Sequence, residues 1–137
     1  MHGTKATAHT AIHVPISPGE LIDKIAILEI KRARFSDAAK RANVAHELAL
    51  LCAARDAAIA PSDALDKLAA ELQAVNGKLW DIEDAIRRHE SSGEFDRGFI
   101  ALARAVYHTN DRRAAIKRQI NDLLGAAIVE EKSYAAY

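Results

Sequence analysis

Between Leu65 and Ile86 the large aliphatic residues are Leu65, Leu68, Leu72, Val75, Leu79, Ile82 and Ile86, at intervals of three and four in strict alternation. Only a helix brings such positions onto one stripe, and a stripe this narrow is a coiled-coil seam. Ser91-Ser92-Gly93 interrupts it. A second seam then follows the same rhythm through Phe99, Leu102, Val106, Thr109, Arg113, Ile116 and Ile120. The two seams predict helices over 63–90 and 96–124, folded as a long antiparallel hairpin. In its middle the second seam turns polar, at Thr109 and Arg113.

Two shorter helices precede the hairpin. Ser17-Pro18-Gly19-Glu20 reads as a capping box with proline at the first helical position, and Ile16 is placed to staple onto Leu21. This predicts a helix over 18–35. Ser36-Asp37 offers the next cap, for a helix over 37–59 with Val44, Leu48 and Leu51 on its apolar side. Pro61-Ser62 and Asp96 cap the hairpin helices, Phe95 and Ile100 suggest a second staple, and Gly125 closes the last helix. Short connections make consecutive helices antiparallel neighbours. The expected fold is therefore all-α: an up-down-up-down bundle of about four helices. Residues 1–15 read as a mobile N-terminal tail and 16–137 as a single domain. Ala126 to Tyr137 is too apolar for a free end, and is expected to pack on the bundle or on a partner chain.

Half of the 137 residues are apolar, but alanine supplies much of that half, and alanine favours helix while burying little surface. The core must rest on Leu, Ile and Val with Phe35, Trp80, Phe95, Phe99 and Tyr107. So thin a core gains from self-association, and a homo-oligomer is expected. Nineteen Lys and Arg balance nineteen Asp and Glu. No nucleic-acid partner is expected, because such binding needs a net basic face. Met1 to Val14 lacks the apolar stretch of a secretion signal, and no run approaches the roughly 20 apolar residues of a membrane span. The single Cys52 admits no intrachain disulfide. These features predict a cytoplasmic chain with no membrane partner.

The polar residues inside the stripes are the candidate site. If the hairpin turns near Gly93, facing residues sum to about 186 on antiparallel geometry. Asn76 and Gly77 then lie level with Thr109 and Asn110. A mid-helix glycine costs about 1 kcal/mol against alanine, so Gly77 suggests room for something else. Glu29 interrupts the first helix's apolar stripe of Ile22, Ile25, Ala26 and Ala33. It stands eleven residues from the start of its helix, as Arg113 stands eleven from the end of the last helix. Matched ends would pair them, with Asp23 and Lys24 level with Lys117 and Asn121. The expected polar node is thus Glu29, Asn76, Asn110 and Arg113, with Asp23, Lys24 and Lys117 nearby. Such a node either fixes helix register or binds a small anionic ligand, a carboxylate or phosphate. No residue is assigned to catalysis, and no metal or cofactor is expected. Glu83, Asp84 and Glu90 are similar to the acidic rows that hold Mg²⁺ in all-α nucleotide pyrophosphohydrolases, but the spacing differs. His2, His9, His13, His46, His89 and His108 show no convergent partners.

Ile16-Ser17-Pro18-Gly19-Glu20-Leu21-Ile22-Asp23-Lys24 and Ile27-Leu28-Glu29-Ile30-Lys31 carry a resemblance that continues through Val75-Asn76 and Leu79-Trp80-Asp81-Ile82-Glu83-Asp84. It returns at Phe95-Asp96, Val106-Tyr107, Asn110-Asp111 and Ile116-Lys117-Arg118, and ends in Ile128-Val129-Glu130-Glu131-Lys132-Ser133-Tyr134. Together these segments resemble a family of small, mostly bacterial proteins, the domain-of-unknown-function family numbered 6165. The resemblance implies no known activity. By association with glycosyltransferase and surface-polysaccharide genes, it implies an accessory role in surface-polysaccharide assembly. Ile22-Asp23 also bears a faint likeness to all-α chorismate mutases, although Arg32 and Arg34 straddle the arginine position of that family without filling it.

Two functions compete. One is a self-associating interaction module that docks on a protein partner. The other is a binder or enzyme acting on a small anion through the node.

Overall fold

The computed structural model describes residues 10–137. Its helices are α1 (Pro18–Arg34), α2 (Ala38–Ala58), α3 (Asp63–Ser92) and α4 (Arg97–Leu124), with no strand among the described residues. Each begins where its cap residue predicts. Ser17, Asp37, Ser62 and Asp96 accept the backbone N–H of Glu20, Lys40, Leu65 and Phe99. These bonds satisfy donors that a helix start otherwise leaves open. Only half of the expected capping box forms: the Glu20 carboxylate turns to Lys117 instead of its own helix end. Gly93 and Gly125 end α3 and α4 in the left-handed conformation, at φ 70° and 63°, where a side chain would be strained.

The bundle is organised around α1. Leu21, Ile25 and Leu28 pack on Val44 and Leu48 of α2. Ile22, on another face of α1, joins Leu65 and Leu72 of α3 and Ile116 and Ile120 of α4. The backbone of α1 approaches the other three helices, whereas α2 approaches α1 alone and α3 pairs with α4 over their length. This contact pattern leaves an open side between α2 and α3. It also leaves the hairpin half covered. The 17 residues of α1 rise about 25 Å, against about 45 Å for the 30 residues of α3. The covering ends where Phe35 meets Trp80, at 6.0 Å between rings, and Arg34 meets Asp81 at 2.5 Å. Beyond that level no other helix covers α3 and α4, and the C-terminal segment reaches α4 only up to Tyr107 and His108.

Residues 10–17 and 126–137 carry no regular structure. Residues 1–9, which include His2 and His9 of the expected tail, lie outside the described residues. The C-terminal segment returns along α4 of its own chain. Glu130 reaches Lys117, Glu131 reaches Arg118, and the Tyr137 hydroxyl donates to Asp111.

Two glycines make opposite demands. A Cβ on Gly19 would lie 2.4 Å from the Lys117 carbonyl oxygen, a backbone atom, whereas one on Gly77 would meet nothing within 4 Å. Gly77 therefore makes no room for a ligand and only lowers helix propensity. Gly77→Ala should stabilise the protein by about 1 kcal/mol. Gly19→Ala should destabilise it by about 1–3 kcal/mol, the cost of forcing a close contact apart. Urea titration of both variants checks the two signs.

Candidate functional site

The polar residues meet at a different carboxylate from the one expected. Asp23 on α1 is completely buried. Arg113 on α4 grips it with both arms of its guanidinium: Nε donates to Oδ1 at 3.0 Å and Nη2 donates to Oδ2. Asn76 on α3 donates its Nδ2 to Oδ1 at 2.8 Å. One side chain from each of the three core helices thus converges on one point. A buried carboxylate survives only when its acceptors are filled and its charge is balanced, and here both conditions hold. No buried side-chain nitrogen or oxygen among the described residues lacks a partner. Burial alone would raise the Asp23 pKa. The hydrogen bonds from Arg113 and Asn76, with the charges of Arg113 and Lys117, outweigh burial and hold it below the usual carboxylate value.

About a turn further along α4, Lys117 repeats the arrangement with the roles reversed. It is buried, and its Nζ donates to Glu20 at 2.8 Å and to Glu130 at 3.4 Å. Burial would lower its pKa, but the hydrogen bond to Glu20 and the charges of Glu20, Asp23 and Glu130 raise it instead. Below Lys117 the Asn121 side-chain oxygen Oδ1 accepts the N–H of Gly19 at 2.7 Å, tying α4 to the first turn of α1. Glu20 also lies 3.7 Å from Lys24, which is otherwise exposed.

The other expected members lie elsewhere. Glu29 is half-buried in a groove beside Arg55 and Asp56, where α2 ends, and does not meet Arg113. Asn110 lines a groove with Tyr107, Tyr134 and Tyr137, and does not face Asn76. The reason is both height and face. Asp23 and Glu29 are six residues apart, about 9 Å of rise and about 120° around the helix. α1 turns its Asp23 face to α3 and α4, with Gly19 bonded to the Asn121 side chain, and its Glu29 face to the groove beside the end of α2. Glu20 and Glu130 were not among the expected site residues. Glu20 lies one turn before Asp23 on the same face, and that spacing was the available signal.

His89, Glu94 and Asp96 also come together at the hairpin turn, close enough to share an ion. Their contacts are those of helix ends: His89 Nδ1 lies 3.0 Å from the Glu94 carbonyl oxygen, and Asp96 caps α4. At the node itself, Asp23 is ionised with both oxygens engaged, Arg113 is committed to it, and Lys117 faces two carboxylates. This chemistry suits a fixed joint. It offers neither a free base nor an unpaired cation.

A family model described as a family of unknown function (DUF6165) matches residues 12–137. That match bears out the family expected from the sequence. No curated protein and no solved structure matches the chain.

Removing one partner of a buried ion pair costs about 3–5 kcal/mol. Asp23→Leu and Arg113→Met should each approach that loss, Arg113→Met the less because its side chain is partly exposed. The double variant should recover much of it, and a thermodynamic cycle from urea titrations measures the coupling. The pH dependence follows from the shifts. Because folding lowers the Asp23 pKa, its contribution is full above the unfolded value of about 3.9 and is lost as pH falls through the folded value. Asp23→Asn should flatten the acid limb of stability against pH. The Lys117 pKa is raised, so its contribution is full below the unfolded value and is lost as pH rises through the folded one. Lys117→Met should flatten the alkaline limb.

Proposed function

We propose that this chain, which belongs to the DUF6165 family of unknown function, is a self-associating interaction module whose buried polar node is structural. The observation that carries the reading is the uncovered far half of the hairpin. There the seam residues Leu79, Ile86, Phe99, Leu102 and Val106 are only half-buried, while Phe95, Ile100 and Tyr107 are exposed. The expected staple between Phe95 and Ile100 does not cover either ring or branch; Phe95 instead packs edge-on against Phe99, at 5.2 Å between centroids. Two helices alone bury one side of each seam. A second hairpin laid against the first would complete a four-helix bundle of the kind such seams favour. Ile100 and Tyr107, seven residues apart, share one face of α4 and would stand at that contact.

The alternative reading, an anionic ligand at the node, needs a cation free to receive it. The pairing of Arg113 with Asp23 and of Lys117 with Glu20 and Glu130 favours the structural reading instead. No helix among the described residues is long and apolar enough to cross a membrane. The lone thiol of Cys52 is unpaired, which supports placing the module in a reducing compartment, the cytoplasm. An accessory role beside enzymes of surface-polysaccharide assembly is the setting we assign it, on the family resemblance alone.

Light scattering coupled to gel filtration should return twice the 14.9 kDa chain mass, or a higher multiple, at micromolar concentration. Replacing Ile100 and Tyr107 together by Glu should give the single-chain mass with unchanged helical circular dichroism. A wild-type monomer would overturn the reading.

A further inference from the structure

The open side between α2 and α3 is a groove of 480 Å³, within the size range of small-molecule sites. Its floor is apolar. Ile22, Ile25 and Ala26 of α1 form the base and Leu65 and Ala69 of α3 one wall, and Ile22, Ile25, Ala26 and Leu65 are buried. Its rim is acidic. Glu29, Asp56 and Asp66 line it together with a single cation, Arg55. Arg55 does not neutralise them evenly, because its Nε donates to Asp56 at 2.9 Å. Glu29 stands near enough to Arg55 for its charge to act on it, but among the described residues it has no direct hydrogen bond or ion pair, the Arg55 Nε being turned to Asp56. It is half-buried above an apolar floor, with its acceptors unfilled by protein.

An apolar groove lined by a carboxylate with no direct hydrogen-bond partner, and with a net negative rim, has a definite complement. We propose that this groove is a binding site for a small amphipathic amine, an organic cation whose hydrocarbon body lies on Ile22, Ile25 and Ala69 and whose ammonium donates to Glu29. The charge count separates this occupant from others of the same size. An alkanoate would meet three carboxylates against one arginine already bonded to Asp56, and a neutral alcohol would bring Glu29 no cation of its own. The same chemistry explains why a carboxylate stands in the apolar stripe of α1 without joining the Asp23 node. The groove lies away from the far half of the hairpin, so the inference stands independently of self-association.

The test is a nuclear magnetic resonance titration of the full chain with n-hexylammonium, hexanol and hexanoate as matched probes. Hexylammonium should produce saturable shifts at the amides of Ile25, Ala26, Ala69 and Ala70, and bind about tenfold tighter than hexanoate, the equivalent of one charged hydrogen bond. Glu29→Gln should lose about that factor for hexylammonium and leave hexanol unchanged. Ala70→Trp, at an exposed position on the groove wall, should block all three probes without altering the thermal midpoint. Absence of saturable shifts at the groove, equal affinity for hexanoate, or wild-type affinity in Glu29→Gln would each overturn the proposal.

Discussion

One carboxylate joins the three core helices of this bundle. Apolar seams determine that helices pack, but they are indifferent to sliding by a turn, since leucine meets leucine equally well in either register. Asp23 is not indifferent. A charge with no access to water must find Arg113 and Asn76 together, and only one vertical and rotational setting of α1, α3 and α4 supplies both. The joint adds little net stability, because desolvation offsets much of the attraction. Its contribution is uniqueness, since every slipped alternative leaves the charge unpaired.

The first turn of α1 can enter the hairpin so deeply because Gly19 has no side chain. The Lys117 carbonyl and the Asn121 side chain occupy the space where a Cβ would stand. Close backbone approach then brings Glu20 within reach of Lys117 and sets the height at which Asp23 arrives. The C-terminal segment completes the arrangement from outside, with Glu130 supplying the second carboxylate on Lys117. Local chain geometry, helix height and charge pairing are thus successive consequences of one missing methyl group.

Much of the fold was legible in the residues. Capping hydroxyls and carboxylates at Ser17, Asp37, Ser62 and Asp96 mark helix starts because their chemistry is local, and the three-four seams mark packing faces because helical periodicity is local too. Which polar residues meet was less legible, since it depends on the relative height of helices far apart in sequence. Six residues of α1, about 9 Å of rise and a third of the way around the helix, separate Glu29 from Asp23, the residue that meets Arg113. Asn76 and Arg113, both expected in the node, come together on Asp23, whereas Asn110 and Glu29, also expected there, lie in separate grooves. The helix-breaking cost of Gly77 suggests space for a ligand, yet its open side shows that a helix can carry a glycine with no neighbour to accommodate.

The attachment of α2 to α1 alone has a consequence for motion. An element held along one face by Val44 and Leu48, with no second helix behind it, can detach as a unit while the α1–α3–α4 joint stays closed. The bundle is therefore expected to have two tiers of native-state opening. In hydrogen exchange, α2 amides should be released by a low-energy partial unfolding, and those around Asp23, Leu72 and Ile116 only by global unfolding. In the partly opened form Leu21, Ile25 and Leu28 would be bared along the central helix, so that the folded chain holds in reserve an apolar strip that its ground state conceals.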